Sequence, residues 1–289
     1  MFYDTSNFKK PSPHLRDDRF HALVMLLPRE SKRLLARAVL QIPEVRRVLE
    51  GGWFVISRGV TPAYILEELT GQSTDKANST AGIVTNARLA SVIEEDRLGP
   101  WVFRDGQLSE TTAPEALSHF SSSDVSVKGA NAVDSNGNIG VLAADGMGGT
   151  VGGIWGTLTA RGSHWIAPVS LERLIPSVIE AARACGNHLW DLTMGQAAGL
   201  MPVVNAQVIT EIQALEILAG VEATHVASGG VAGSEGAVIL SLAGQETVVR
   251  QAFELVEAMK GEEQFDPPRL IPYIREPDSA PRHKPVQPA

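Results

Sequence analysis

Only one cysteine, Cys185, occurs among the 289 residues of the sequence. A single thiol excludes an internal disulfide framework and favours a reducing compartment. Some metal sites use the spacing of Cys185 and His188, but no second pair of metal-ligating residues accompanies them. We therefore favour a structural cysteine near a helix end, and we predict neither a metal nor a cofactor.

Long apolar runs are also missing from the sequence. None approaches the roughly 20 residues that a membrane-spanning helix requires, and the first residues lack the basic-then-apolar pattern of a signal peptide. We expect no membrane partner, and the predicted location is cytoplasmic.

The sequence has no excess of basic charge. Its net charge of -8 argues against non-specific binding to nucleic acid. The densest basic run, residues 29–47, carries Leu34, Leu35 and Val39 at helical spacing, which indicates the solvated face of an amphipathic helix. A hydrophobic content of 44% and a charged content of 20% are typical of a soluble globular protein with one large or two modest domains.

Strand and helix patterns alternate along the chain up to about Asn205. Continuous apolar runs at 51–57 and 163–169 predict buried strands, and helical periodicity covers 30–41 and 150–161. Such alternation predicts an α/β fold with a mostly parallel sheet covered on both faces.

The first predicted strand leads into a tight turn at residues 57–62. Thr61 suits an N-cap and Pro62 suits the first helical position of a helix that continues to Thr70 and is closed by Gly71. Free N–H groups at such a helix start can bind an anion. The alternative is an ordinary connection between a strand and a helix.

The central stretch, residues 124–153, concentrates polar groups after a short buried strand. Lys128, Asn131 and Asp134 follow that strand, and a glycine-rich segment at 146–153 opens a helix. Polar groups and glycines at a strand end are typical of α/β ligand sites. The alternative is a polar turn that satisfies nearby backbone groups, with a plain loop at 146–153, because no Walker-type ending is present.

Composition and pattern divide the chain into four parts. Residues 1–20 read as a flexible arm and 21–205 as the α/β ligand-binding domain. Residues 206–275 follow the order βαββα of a ferredoxin-like α+β unit, provided that 269–274 adds a last strand. Residues 276–289 form a proline-rich tail.

Two of these segments, taken together, resemble the NagB/RpiA/CoA-transferase-like superfamily. The turn at 57–62 resembles the phosphate turn of ribose-5-phosphate isomerase. The segment 128–134, followed by Asn136-Gly137-Asn138 and Gly149-Thr150, resembles a second ligand loop of that enzyme. It is more similar still to the loop of methylthioribose-1-phosphate isomerase and of the regulatory subunits of translation initiation factor two-B. The resemblance covers roughly residues 30–204 and implies a doubly wound, mostly parallel α/β fold with ligands at the carboxyl ends of the strands.

The resemblance also implies roles for particular residues. Lys128 would neutralise a phosphate or an enediolate, and Asp134 would move a proton. Asn131 stands where the isomerases have an aspartate, and an amide does not shuttle a proton at neutral pH. Glu172 is the nearest replacement for their glutamate base, with a helix-start carboxylate as the alternative. The implied ligand-binding residues are Ser57, Arg58, Gly59, Thr61, Lys128, Gly129, Ala130, Asn131, Asp134, Gly148, Gly149 and Thr150.

We therefore expect a relative of sugar-phosphate isomerases or transferases that acts on or binds an anionic, phosphate-bearing small molecule. The alternative is a non-catalytic ligand sensor or an oligomeric structural protein on the same fold. The glycine-rich pattern over 226–252 is similar to that of microcompartment shell domains, and this likeness favours a homo-oligomer.

Overall fold

A six-stranded mixed sheet forms the centre of the computed structural model, which describes residues 2–6 and 19–272. Its strands in spatial order are β12 (Gln207–Ile209), β10 (His164–Pro168), β7 (Val125–Val127), β2 (Trp53–Ile56), β5 (Trp101–Arg104) and β6 (Gln107–Ser109). The first four run parallel, and β5 and β6 add an antiparallel hairpin at one edge. The predicted α/β class with a largely parallel sheet is confirmed at this level.

A hydrophobic cluster covers each face of the central sheet. Neighbouring residues of one strand enter different clusters, because successive side chains point to opposite faces. Phe54 and Ile56 pack into one hydrophobic cluster, and Val55 between them packs into a second. The first cluster includes residues of α1 (Pro28–Val39), α2 (Pro43–Glu50), α3 (Val60–Thr70) and α7 (Glu211–Ala219). The second includes residues of α4 (Ala113–His119) and α5 (Gly149–Arg161). Strands covered in this way carry their ionisable side chains only at their ends.

Two smaller antiparallel groups flank the central sheet. The strands β8 (Ala132–Val133), β9 (Ile139–Ala143) and β11 (Gly199–Val203) form a three-stranded sheet in the order β11-β9-β8. The helix α6 (Val178–Arg183) packs against that sheet. A separate hairpin consists of β3 (Gly82–Thr85) and β4 (Arg88–Ser91).

A third sheet joins distant parts of the sequence. It has the order β1-β14-β13, in which β1 is Phe20–Leu26, β13 is Glu222–Ser228 and β14 is Val238–Gly244. The helix α8 (Glu246–Glu257) packs against β1 and β14. The structure therefore differs from the expected C-terminal unit, because β12 belongs to the central sheet and the third strand comes from the N-terminal part. Leu270, in the expected last strand, instead forms an isolated bridge with Val92.

The expected boundary near residue 205 does not separate two hydrophobic cores. Ile166 of the central sheet shares one buried cluster with Leu240 and Leu242 of the third sheet. Part of the predicted N-terminal arm is bound to the central sheet. The Tyr3 N–H donates a hydrogen bond to the Val208 carbonyl oxygen of β12 at 2.7 Å. The proline-rich tail at 276–289 lies outside the described residues.

Within the described ranges, no helix has both the length and the apolar content needed to cross a bilayer.

The glycines at the two ends of α3 offer a direct test of this architecture. Gly59 has φ +154, where side chains are strongly disfavoured, and a Cβ there would lie 3.0 Å from Pro62 Cδ. Gly71 has φ +69 and open space around it. We predict that Gly59→Ala lowers the free energy of unfolding by about 2–3 kcal/mol and Gly71→Ala by about 1 kcal/mol. Urea unfolding of both variants checks this, and equal losses would show that the start of α3 is not held as described.

Candidate functional site

The carboxyl ends of β2, β7, β10 and β12 lie along the same edge of the central sheet, because these strands are parallel. Ionisable residues follow each strand at this carboxyl edge. They are Arg58 after β2, Lys128 after β7, Glu172 and Arg173 after β10, and Glu211 after β12. The edge is also the place where open α/β sheets bind ligands.

Lys128 joins the ends of β2 and β7. Its Nζ donates a hydrogen bond to the carbonyl oxygen of Arg58 at 3.2 Å. Next to it, Gly129 lies against the start of α3, since a Cβ there would be 3.8 Å from Pro62 Cδ and 3.6 Å from the Pro168 carbonyl oxygen. The turn at 57–62 and the segment after β7 are therefore in contact. Their positions in the sequence alone do not require this contact.

Of the four lysines that the structure describes, Lys128 is the one without a carboxylate partner. The other three form ion pairs: Lys32 with Glu172 at 3.3 Å, Lys76 with Glu67 at 2.6 Å, and Lys260 with Glu30 at 2.7 Å. Burial and, to a lesser extent, the positive charge of Arg173 together lower the pKa of Lys128 to about 8. The carboxyl edge thus holds a positive charge that no described side chain compensates.

Arg173 connects the end of β10 to the same loop. It belongs to a short 3-10 helix, Leu171–Arg173, and its Nη1 donates to the carbonyl oxygen of Ala130. Its Nε lies 3.5 Å from Glu172 Oε1. Sequence reasoning missed Arg173, although its position directly after Glu172 and a buried strand was an available signal.

Glu172 is paired rather than free. Its carboxylate lies between Arg173 and the ammonium group of Lys32 on α1, and its side chain is 15% exposed. Burial lowers the pKa of Lys32, although the charge of Glu172 opposes that shift. The predicted solvated face of the first helix does not hold for Lys32, whose side chain is only 12% exposed. No described contact brings Glu172 to Lys128 itself.

Asp134 stabilises the turn between β8 and β9. Its Oδ1 accepts from the backbone N–H groups of Asn136 and Asn138, and its Oδ2 accepts from Asn138 Nδ2 and the Val178 N–H, all at 3.0 Å. Burial alone would raise the pKa of this carboxyl, but these hydrogen bonds hold it below its usual range. An ionised carboxylate with four donors is a poor proton shuttle, so the geometry favours the turn alternative over the proton-transfer role.

Asn131 is exposed and also serves a backbone contact. Its Oδ1 accepts from the Leu142 N–H at 3.0 Å, and its own N–H donates to the Gly140 carbonyl at 2.8 Å. These bonds fix the hairpin of β8 and β9 directly beside Lys128. Ala130 is buried, and its carbonyl oxygen accepts the hydrogen bond from Arg173 Nη1.

The start of α3 differs from the sequence prediction in one respect. The N-cap is Gly59 and the helix begins at Val60, so the expected N-cap Thr61 is a buried residue of the first turn. Ser57 is buried before it, and its N–H donates to the Val127 carbonyl at 3.0 Å. The N–H groups of Val60 and Thr61 have no hydrogen-bond acceptor in the part of the chain that the structure describes. They remain available at the carboxyl edge.

The predicted glycine-rich cradle lies at the start of α5, and a carboxylate already occupies it. Asp145 Oδ1 accepts from the N–H groups of Met147 at 2.8 Å and Gly149 at 3.0 Å. Those bonds lower the pKa of Asp145. Among the described residues, no hydrogen bond or ion pair links Gly148, Gly149 or Thr150 to Lys128 or to the start of α3.

A cleft of about 520 Å³ lies elsewhere, where α3 and α8 end. Arg33, Lys76 and Lys260 line it, and all three are paired with carboxylates. Because those charges are mutually neutralised, the cleft is a weaker candidate for an anion than the carboxyl edge.

The described residues contain no group of three or more His, Cys, Asp or Glu side chains that could hold a metal ion. Cys185 donates to the Ala198 carbonyl oxygen at 3.4 Å, and burial raises the pKa of its thiol.

No protein-family model, no curated protein and no solved structure matches this chain. The residues at the carboxyl edge are therefore the basis for any functional conclusion.

Replacing Lys128 tests whether its charge is uncompensated. Its pKa of about 8 lies below the value of 10.5 of an unburied lysine. Below pH 8 the charged Lys128 therefore destabilises the folded state relative to the unfolded chain. Between pH 8 and 10.5 the folded protein loses this proton before the unfolded chain does, and wild-type stability rises. We predict that Lys128→Met stabilises the ligand-free protein by about 1–2 kcal/mol at pH 7 and that this gain disappears at pH 9.5, where the wild type has regained about 2 kcal/mol.

Urea unfolding at both pH values measures this effect. Lys76→Met is the matched control and should destabilise the protein, since Lys76 is paired with Glu67 at 2.6 Å. A loss of stability in Lys128→Met at pH 7 would mean that its ammonium group has a net favourable partner.

Replacing Asp134 tests its assignment to the turn. An amide in Asp134→Asn has one acceptor oxygen for four donors, so we predict a loss of about 2–3 kcal/mol at pH 7. The native carboxyl has a lowered pKa, so its stabilisation is present above its unfolded pKa of 3.8 and is lost as the pH falls through its folded pKa. The difference between wild type and variant should therefore shrink in acid. Asp145→Asn, at an exposed turn, should cost less; equal costs would contradict the assignment.

Proposed function

We propose that the protein binds a phosphorylated small metabolite at the carboxyl edge of the central sheet. The observation that carries this proposal is Lys128, a desolvated ammonium group that has a backbone carbonyl as its partner while the other described lysines have carboxylates. A buried charge without a counterion is costly, and an anionic ligand would supply the missing charge.

The surroundings of Lys128 suit a phosphate group. The N-terminal end of α3 carries a partial positive charge, and the N–H groups of Val60 and Thr61 have no acceptor among the described residues. Arg173 adds a second cation next to the loop at Ala130. A phosphate between these groups would gain hydrogen bonds from N–H donors and charge from Lys128.

The resemblance noted for the sequence supports the same proposal. It implies that the turn at 57–62 and the segment after β7 form one site, and Lys128 and Gly129 lie beside Arg58 and Pro62. We propose on this basis that the central sheet is of the doubly wound type of that superfamily. The cytoplasmic location and the homo-oligomer stay predictions.

Binding is better supported than isomerisation. An isomerase on this fold needs a carboxylate that is free to move a proton, and the three candidate positions do not offer one. Asp134 accepts four hydrogen bonds, Asn131 is an amide, and Glu172 is ion-paired with Lys32. We therefore favour a ligand-sensing or carrier role over turnover.

Thermal stabilisation tests the proposed ligand class. Ribose 5-phosphate at millimolar concentration should raise the melting temperature of the wild type, whereas ribose should not, because the phosphate provides the charge. The rise should disappear in Lys128→Met and persist in Lys76→Met, which removes a lysine that is already paired with Glu67.

Two outcomes would contradict the proposal. If a panel of sugar phosphates leaves the melting temperature unchanged, the edge is not a phosphate site. If Lys128→Met keeps the full rise, the ligand binds elsewhere. Turnover of any aldose or ketose phosphate in the same panel would instead favour the isomerase.

A further inference from the structure

We infer that Lys128 forms an imine with a phosphorylated aldehyde or ketone bound at the carboxyl edge. This inference rests on the proposed function, because the phosphate places the carbonyl carbon near the amine. It goes further, since a lysine that merely neutralises a phosphate remains an ammonium ion and forms no covalent bond.

The contacts of the four described lysines separate Lys128 from the rest. An amine attacks a carbonyl carbon only in its uncharged form, and a neighbouring carboxylate favours the charged form. Lys32, Lys76 and Lys260 each have such a carboxylate within ion-pair distance. Lys128 has the carbonyl oxygen of Arg58 at 3.2 Å, an acceptor that carries no net charge.

The position of Lys128 disfavours its charged form in two ways. The ammonium group is withdrawn from solvent, and Arg173 contributes a second positive charge through its contact with the loop at Ala130. With a pKa of about 8, roughly a fifth of Lys128 is uncharged at pH 7.4, against about one part in a thousand for an ordinary lysine. The reactive fraction is larger by about two orders of magnitude.

Access and direction also fit the reaction. Lys128 and Gly129 are partly exposed as residues, so the loop that carries the buried amine borders solvent. In this arrangement the Val60 and Thr61 N–H groups at the start of α3 bind the phosphate next to Lys128, and the Lys128 nitrogen attacks the carbonyl end of the same ligand. In the step itself, the Lys128 nitrogen bonds to the carbonyl carbon, and the carbonyl oxygen leaves as water after taking up two protons. The nitrogen gives up both of its amine protons, so the sum is amine plus carbonyl to imine plus water.

Reductive trapping of the full chain tests this inference. D-glyceraldehyde 3-phosphate is the probe, sodium borohydride reduces any imine to a secondary amine, and peptide mass spectrometry locates the adduct. We expect saturable labelling at Lys128, at least tenfold above that at Lys76 and Lys260. Excess glycerol 3-phosphate, which differs from the probe by an alcohol in place of the aldehyde, should reduce the Lys128 adduct at least fivefold.

The response of the wild type to glycerol 3-phosphate separates this inference from the proposed function, because that ligand carries the phosphate but has no carbonyl group. Lys128→Arg removes the amine, so it should lose the adduct at position 128 while the background labelling of Lys76 and Lys260 stays unchanged. If glycerol 3-phosphate stabilises the wild type but Lys128 is labelled no more than Lys76 and Lys260, the imine is overturned and the anion site stands. If glycerol 3-phosphate neither stabilises the protein nor protects Lys128, the proposed function fails as well.

Discussion

Burial of the parallel strands on both faces is the constraint that shapes this molecule. Phe54 and Ile56 fill one hydrophobic layer and Val55 fills the other, so the interior of β2 has no room for a charge. The same alternation holds in β10, where Ile166 faces one layer and Trp165 the other. Ionisable groups are therefore displaced to the ends of the strands, and the parallel direction brings those ends to one edge.

Charges gathered at one edge must be paired, hydrated or left for a ligand. Glu172 is shared by Lys32 and Arg173, and the structure thereby neutralises the part of the edge next to β10. The part between β2 and β7 is different, because Lys128 contacts the Arg58 carbonyl group and the nearby Val60 and Thr61 N–H groups have no acceptor among the described residues. The neighbouring parts therefore differ: the charges of Glu172, Lys32 and Arg173 are paired with one another, whereas Lys128 has no carboxylate partner among the described residues.

Short sequence patterns predicted much of this arrangement, but they did not predict contacts between residues that are far apart in the sequence. The apolar runs at 51–57 and 163–169 predicted β2 and β10, and the convergence of their loops with Lys128 follows from parallel strands. The strand β1 was missed because its partner β14 lies more than 200 residues away and no local signal specifies that pairing. The role of Asp134 could not be chosen from sequence either, since a catalytic carboxylate and a turn carboxylate use the same residue type. What separates them is the number of donors around the oxygens, which only the fold supplies.

The pairing of β1 with β14 has a consequence for synthesis of the chain. Phe20 is synthesised more than two hundred residues before its partner Gly244. Until then β1 has an open backbone edge on the side where β14 will pair, a state prone to association with other nascent chains. Premature termination before residue 238 leaves that edge permanently open.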